Sequence, residues 1–312
     1  MRRVGILAVA GAALAVAVGL TVAGVGERAG ALPNWQAFVL GIVQGATELL
    51  PISSSGHLIL VPWLFEWEYL ETHEEFNQTF DVALHVGTLV AVVAYFWRDV
   101  VRLLRAWVAS VRRRRIETAD ERVAWFVAIA TVPAAAVGAL GENLIAEHLG
   151  EPWQIAIFLA VFGVVLWIAD RTPPRRTMSD LGPGTAIVVG LAQSLALMPG
   201  VSRSDITITA ARFLGLDRDS AARFSFLLLI PIVFGASLWK GVTDVLLGEL
   251  PPGSTGPFIV GMIASAAGGL LAIWGLLGYV RRHDYTIFVV YRLVAAAVIL
   301  LLIATGAREP SF

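Results

Sequence analysis

Long uncharged runs dominate this chain and leave few folds open to it. Residues 4–25 carry no charge over 22 positions, and residues 79–97, 123–141, 153–169, 224–247, 257–280 and 285–306 are nearly as apolar. About 20 such residues cross a bilayer as a helix. No water satisfies peptide groups in the hydrocarbon, so only helices or closed barrels can span it, and continuous runs of this length read as helices. Charged residues make up 15% of the chain, against roughly 25% in soluble domains. The chain is therefore expected to be an all-α polytopic membrane protein. It has no cysteine, which excludes disulfides and thiolate metal sites. The arginines sit in loops between apolar runs, so no nucleic-acid partner is expected.

Two apolar stretches are too short and too broken to be plain spans. Residues 35–50 and 56–65 are separated by Pro-Ile-Ser-Ser-Ser, and the stretch from 183 breaks at Pro199-Gly200. Loop charge fixes their direction through the excess of Lys and Arg on the cytoplasmic side. Segments 98–122 (eight arginines), 171–176, 212–223 and 281–282 are basic, whereas 66–78, 142–152 and 248–256 contain no Lys or Arg. Residues 183–211 thus begin and end inside, and residues 33–65 begin and end outside if residues 4–25 cross outward. The expected architecture is an inverted-topology repeat, residues 35–170 against 183–306. Each half is a re-entrant helix hairpin plus three transmembrane helices. Residues 1–32 add one extra N-terminal helix. Ala29-Gly30-Ala31 resembles a signal-peptide cleavage site, but the apolar core is longer than such peptides carry, which favours a retained span. Residues 33–312 form a single membrane-embedded domain.

The broken stretches align without a gap. Gly41 matches Gly190, Gln44 matches Gln193, and Ser53-Ser54-Ser55 matches Ser202-Arg203-Ser204. Ionisable groups at membrane depth are costly and mark functional sites. Broken helices offer backbone N–H groups and positive dipole ends to an anion. Glu48 suits a divalent cation or general-base work, with a structural arginine pair as the bland alternative. Ser53, Ser54 and Ser55 could bind phosphate oxygens or supply a nucleophile, and Ser55 could equally cap the following arm. His57 could exchange a proton with Ser54 or a water. Arg203 suits a phosphoryl group, and a local ion pair with Asp205 is its structural alternative. Ser202, Ser204 and Thr207 are further phosphate contacts. Asp81 and His85, four residues apart, give a weaker signal, with Asp81 read as a helix cap. Arg292 reads as a snorkelling side chain. These groups suit an anionic head on an apolar tail, and phosphoryl transfer needs a positioned nucleophile and neutralised charge.

The same residues strongly resemble the undecaprenyl-diphosphate phosphatase family, membrane enzymes linked to bacitracin resistance. The family's (E/Q)xxxE and PxSSxGH motifs correspond to Gln44–Glu48 and Pro51–His57, and its PGxSRSGxT motif to Pro199–Thr207. FDVALHVGTL at 80–89, ARFSFLLLIP at 222–231 and FVVYRL at 288–293 are also similar. The resemblance covers about residues 35–306. It implies hydrolysis of undecaprenyl diphosphate to the monophosphate and phosphate, recycling a cell-wall lipid carrier, with Mg2+ or Ca2+. It places the enzyme in the bacterial plasma membrane with its site towards the outer face. By motif position Glu48, Ser54, His57 and Arg203 are the catalytic residues, and the candidate metal ligands are Glu48, Gln44 and Asp205. The partners implied are the polyprenyl diphosphate and membrane lipid, with a homodimer as the candidate assembly. Three positions depart from the pattern. Gln44 is neutral, Asp205 stands where Gly is usual, and Arg223, read as a loop residue, stands where Glu is frequent. Two competing readings are a lipid-phosphate transporter or flippase and an inactive homologue.

Overall fold

The computed structural model describes residues 2–26, 30–242 and 253–311. Ala29 of the cleavage-like pattern and most of segment 248–256 lie outside them. The described residues are helical: α1 (Arg2–Val22), α2 (Asn34–Leu49), α3 (Ser54–Phe65), α4 (Glu68–Thr72), α5 (Glu74–Arg113), α6 (Ala119–His148), α7 (Pro152–Asp170), α8 (Pro183–Ser194), α9 (Arg203–Phe213), α10 (Arg218–Lys240), α11 (Thr255–Tyr279) and α12 (Thr286–Ala304). Among them α1, α5, α6, α7, α10, α11 and α12 are long and apolar enough to cross a membrane. Helices α2, α3, α8 and α9 are shorter and flank the two breaks.

Helices α5, α6 and α10 each extend beyond the span expected for them. Helix α5 continues through the basic segment to Arg113 and ends at Arg114 in the left-handed conformation. Arginine ends a hydrophobic run but is a good helix former, so the expected loop at 98–122 shrinks to a short turn. Asp81 accordingly lies in the second turn of α5 and does not cap it. Arg223 lies inside α10, not in a loop, and its Nε donates to Asp219 Oδ2 at 2.7 Å.

Small residues let backbones touch where α11 meets α2 and α5. A Cβ on Gly45 would stand 2.3 Å from the Ser265 carbonyl, and one on Gly87 would stand 2.4 Å from that of Met262. Such close approach is how helices associate when lipid is as apolar as the side chains. Ser265 Oγ adds a hydrogen bond to the Leu84 carbonyl at 2.7 Å.

The two ends of the bundle are tied differently. At the arginine-rich end, Asp170 accepts from Arg212 Nε at 3.1 Å, Arg218 Nε at 2.7 Å and the Tyr285 N–H at 3.0 Å, which joins the ends of α7, α9, α10 and α12. At the opposite end, Arg308 pairs with Glu66. Trp63 Nε1 donates to the Glu309 carbonyl at 3.1 Å. Helix α3 thus ends beside the chain's C-terminal tail, and α9 ends at the Asp170 clasp.

Candidate active site

The site forms where the two breaks meet. Leu50 leaves α2 extended, and Ser53 then takes φ 73°, ψ 99°; Ser202 before α9 takes φ 76°, ψ 120°. A non-glycine residue with positive φ costs of order 1–3 kcal/mol and persists only where its surroundings dictate it. Here they do. Ser53 Oγ accepts from the Gly56 N–H at 3.3 Å and from the Gly200 N–H of the other break at 3.1 Å. Ser202 Oγ accepts from the Asp205 N–H at 3.3 Å, the same i+3 cap. Ser204 Oγ donates back to the Leu50 carbonyl at 3.0 Å and lies 3.1 Å from Ser202 Oγ. The cap of α3 is therefore Ser53. Ser55 is half-buried and takes no part in these bonds.

Glu48 is the centre. It is 5% exposed and four groups surround it. Arg203 Nη2 donates to Oε1 at 2.9 Å, and Ser54 Oγ donates to Oε2 at 2.5 Å. Gln44 Nε2 reaches Oε2 at 3.3 Å, and His85 Nε2 lies 3.4 Å from it. The alternative reading, a local pair of Arg203 with Asp205, is not what forms. Arg203 instead bridges Glu48 and Ser225, donating through Nη1 to the Ser225 carbonyl at 2.7 Å and to its Oγ at 3.3 Å. The Thr207 hydroxyl lies 2.8 Å from Ser225 Oγ, so it supports this bridge from behind.

His57 faces elsewhere. Its Nδ1 lies 2.6 Å from the Ser53 carbonyl and its Nε2 2.6 Å from the Tyr291 hydroxyl. A carbonyl only accepts, so Nδ1 carries the proton and Tyr291 donates to Nε2. Both nitrogens are thereby used away from Ser54. Asp205 also turns away. It is fully buried, pairs with Arg292, and accepts from Thr209 Oγ1 at 3.0 Å. Its partners are thus Arg292 and Thr209, not the Glu48 group, and among the described residues no three His, Asp or Glu side chains gather as a metal cluster.

Three contributors lie outside the motifs singled out for chemistry, within the family-like stretches at 80–89, 222–231 and 288–293. Ser225 is an ordinary hydroxyl in an apolar span. His85 looked like a local partner of Asp81 but reaches Glu48. Arg292 does not snorkel: it is fully buried. Besides pairing with Asp205 it donates to the carbonyls of Pro51 at 3.3 Å and Gly200 at 3.0 Å, one at each break. Its sequence signal was an arginine inside an apolar run, within the family-like stretch at 288–293.

Fold and site together define a polytopic membrane protein whose polar machinery is built at two facing helix breaks. Comparison with known proteins narrows this class. The family model described as bacitracin resistance protein BacA matches residues 37–298, and the chain belongs to that family. It is 47% identical over 283 residues to the undecaprenyl-diphosphatase of Thermomicrobium roseum, covering 88% of this chain and 99% of the relative. It is 44% identical over 270 residues to that of Desulforudis audaxviator, covering 86% and 97%. The undecaprenyl-diphosphatase of Geobacter sulfurreducens is 47% identical over 266 residues, covering 85% and 96%.

Proposed function

We propose that this protein hydrolyses undecaprenyl diphosphate to undecaprenyl phosphate and inorganic phosphate in the bacterial plasma membrane. The observation that carries the reading is the contact set of one carboxylate with a hydroxyl at 2.5 Å and a guanidinium at 2.9 Å. Ser54 is the nucleophile: as its Oγ bonds to the terminal phosphorus, its proton passes to Glu48 Oε2. The anhydride P–O bond breaks, and undecaprenyl phosphate leaves with the electron pair. Water then attacks the phosphoserine, and the proton held on Glu48 returns to Ser54 Oγ. Arg203, 11% exposed, swings from Glu48 onto the transferring group and offsets its charge, as guanidinium clamps do in phosphoryl transfer. Ser202, Ser204 and Ser53 hold the breaks that frame the diphosphate. His57 with Tyr291 fixes the first turn of α3, where Ser54 sits.

The residues present fit a divalent cation, Mg2+ or Ca2+. Glu48 supplies the carboxylate, and the buried Gln44 Oε1 has no hydrogen-bond partner. Such ions usually bind one or two carboxylates plus substrate phosphates. When bound, the cation would neutralise the diphosphate. Asp205 is spent on Arg292 and adds nothing to this set.

We also infer the inverted repeat. The first broken segment starts at Asn34 and ends at Glu66, the latter bound to Arg308. The second ends at Phe213, and Arg212 in its last turn is bound to Asp170 at the arginine-rich end. The matched serines Ser53 and Ser202 share one unusual backbone conformation. Both facts support two re-entrant hairpins entering from opposite faces, with the catalytic carboxylate on the hairpin from the outer side. The test is phosphate release from undecaprenyl diphosphate by purified protein in detergent with Mg2+. Ser54→Ala and Arg203→Ala should abolish release, and the wild type should yield a trapped phosphoserine on acid quench. Intact lipid binding with no release by the wild type would favour a lipid-phosphate transporter and end the enzymatic reading.

A further inference from the structure

His85 lies outside the three catalytic motifs, in the family-like stretch at 80–89, and its side chain turns to Glu48. Its Nδ1 is 2.7 Å from the Asp81 carbonyl. A carbonyl only accepts, so Nδ1 carries the hydrogen. Nε2 then faces Glu48 Oε2, 3.4 Å away. The approach of these two atoms needs positive charge, which either a proton on Nε2 or a cation held between them supplies. Two donors on one ion, each at about 2.1 Å, stand roughly 3.0–3.4 Å apart for right-angle or tetrahedral coordination. The observed separation falls in that range. Metal-ligating histidines almost always donate their other N–H to a carbonyl or carboxylate, as His85 does to Asp81. A third oxygen is at hand, because Gln44 is fully buried with Oε1 unpartnered. His85 is 28% exposed, against 5% for Glu48, so it stands on the accessible side of the carboxylate.

We propose that His85 is a protein ligand of the divalent cation, which it shares with Glu48 Oε2 and Gln44 Oε1. The inference rests on the phosphatase reading only in taking the ion to serve that site. It changes the expected selectivity. A site of carboxylate and amide oxygens alone suits Mg2+ or Ca2+, whereas an imidazole nitrogen shifts preference towards Mn2+, Co2+ or Zn2+.

Mn2+ itself is the probe, added to the full-length protein in detergent without lipid. Pulsed electron paramagnetic resonance should detect coupling of bound Mn2+ to an imidazole nitrogen. His85→Gln should abolish that coupling and weaken Mn2+ binding by about 10–100-fold. His283→Gln, at an exposed surface histidine, should leave both unchanged. His85→Asn, whose amide is too short to reach Glu48, should behave like His85→Gln. In the wild type Mn2+ should bind at least tenfold more tightly than Ca2+, and the gap should close in His85→Gln. Bound Mn2+ without nitrogen coupling, or equal affinity in wild type and His85→Gln, would overturn the assignment. So would full hydrolysis in EDTA with no bound Mn2+; His85 would then be an imidazolium paired with Glu48. Nitrogen-coupled Mn2+ in a protein that releases no phosphate would instead leave this inference standing and defeat the phosphatase reading.

Discussion

Asp205 lies two residues from Arg203, and its partner decides what its removal would do. The carboxylate pairs with Arg292, and both residues have 0% exposure. Removing one member of such a pair strands the other charge, at a cost of about 3–5 kcal/mol. Arg292 keeps its carbonyl acceptors at Pro51, Gly200 and Leu159, so Asp205→Asn belongs near the lower bound. Asp205→Gly also forfeits the 3.0 Å bond from Thr209 and puts glycine in the first turn of α9. Together these raise its cost to about 5 kcal/mol. At roughly 2 °C per kcal/mol for a large domain, tryptophan-fluorescence melts in detergent should fall by about 6 °C for Asp205→Asn and about 10 °C for Asp205→Gly. The Asp205→Leu/Arg292→Met pair should not recover this loss, because it removes the donor from carbonyls at both breaks. Phosphate release should fall or hold, never rise. If Asp205→Gly melts with the wild type and releases phosphate faster, Asp205 restrains Arg203, and the pairing argued from the structure is wrong.

Four further outcomes follow from the same contacts. Arg203→Lys cannot span Glu48 and Ser225 together, so kcat should fall by about 10²–10³-fold with little change in melting temperature. Ser53→Ala removes the shared acceptor of the Gly56 and Gly200 N–H groups and should cost about 2 kcal/mol, read as a lower melting temperature. Tyr291→Phe leaves Nε2 of His57 without a donor. It should lower kcat by about fivefold, the worth of one ordinary hydrogen bond, whereas His57 acting directly on Ser54 would make this variant nearly neutral. Gly45→Val would drive a side chain into the Ser265 carbonyl, 2.3 Å from its Cβ, and should yield no monodisperse protein on size-exclusion chromatography.

What could be read in the sequence was whatever membrane physics makes expensive. Glu48 and Arg203 stood out because ionisable groups at broken apolar segments need partners. The structure joins them across 155 positions at 2.9 Å. The helical class was legible from uncharged runs, but helix ends were not. Arginine stops a span without stopping a helix, so α5 runs to Arg113. Arg292 was misread because most of its acceptors are backbone carbonyls, and these carry no signature in a sequence. His85 was underread for a related reason. Its i–4 neighbour Asp81 hydrogen-bonds it through a backbone carbonyl, while its contact with Glu48 lies on another helix. The serines mark the boundary between the two kinds of information. Ser53 and Ser202 matched in sequence as members of short motifs. Their shared positive φ and i+3 caps exist because each break must turn sharply and satisfy its own N–H groups without water. That requirement places the same residue type at both breaks, whichever chemistry the neighbouring side chain performs. It also explains how one break can present a hydroxyl at Ser54 and its counterpart a guanidinium at Arg203 from equivalent backbone positions.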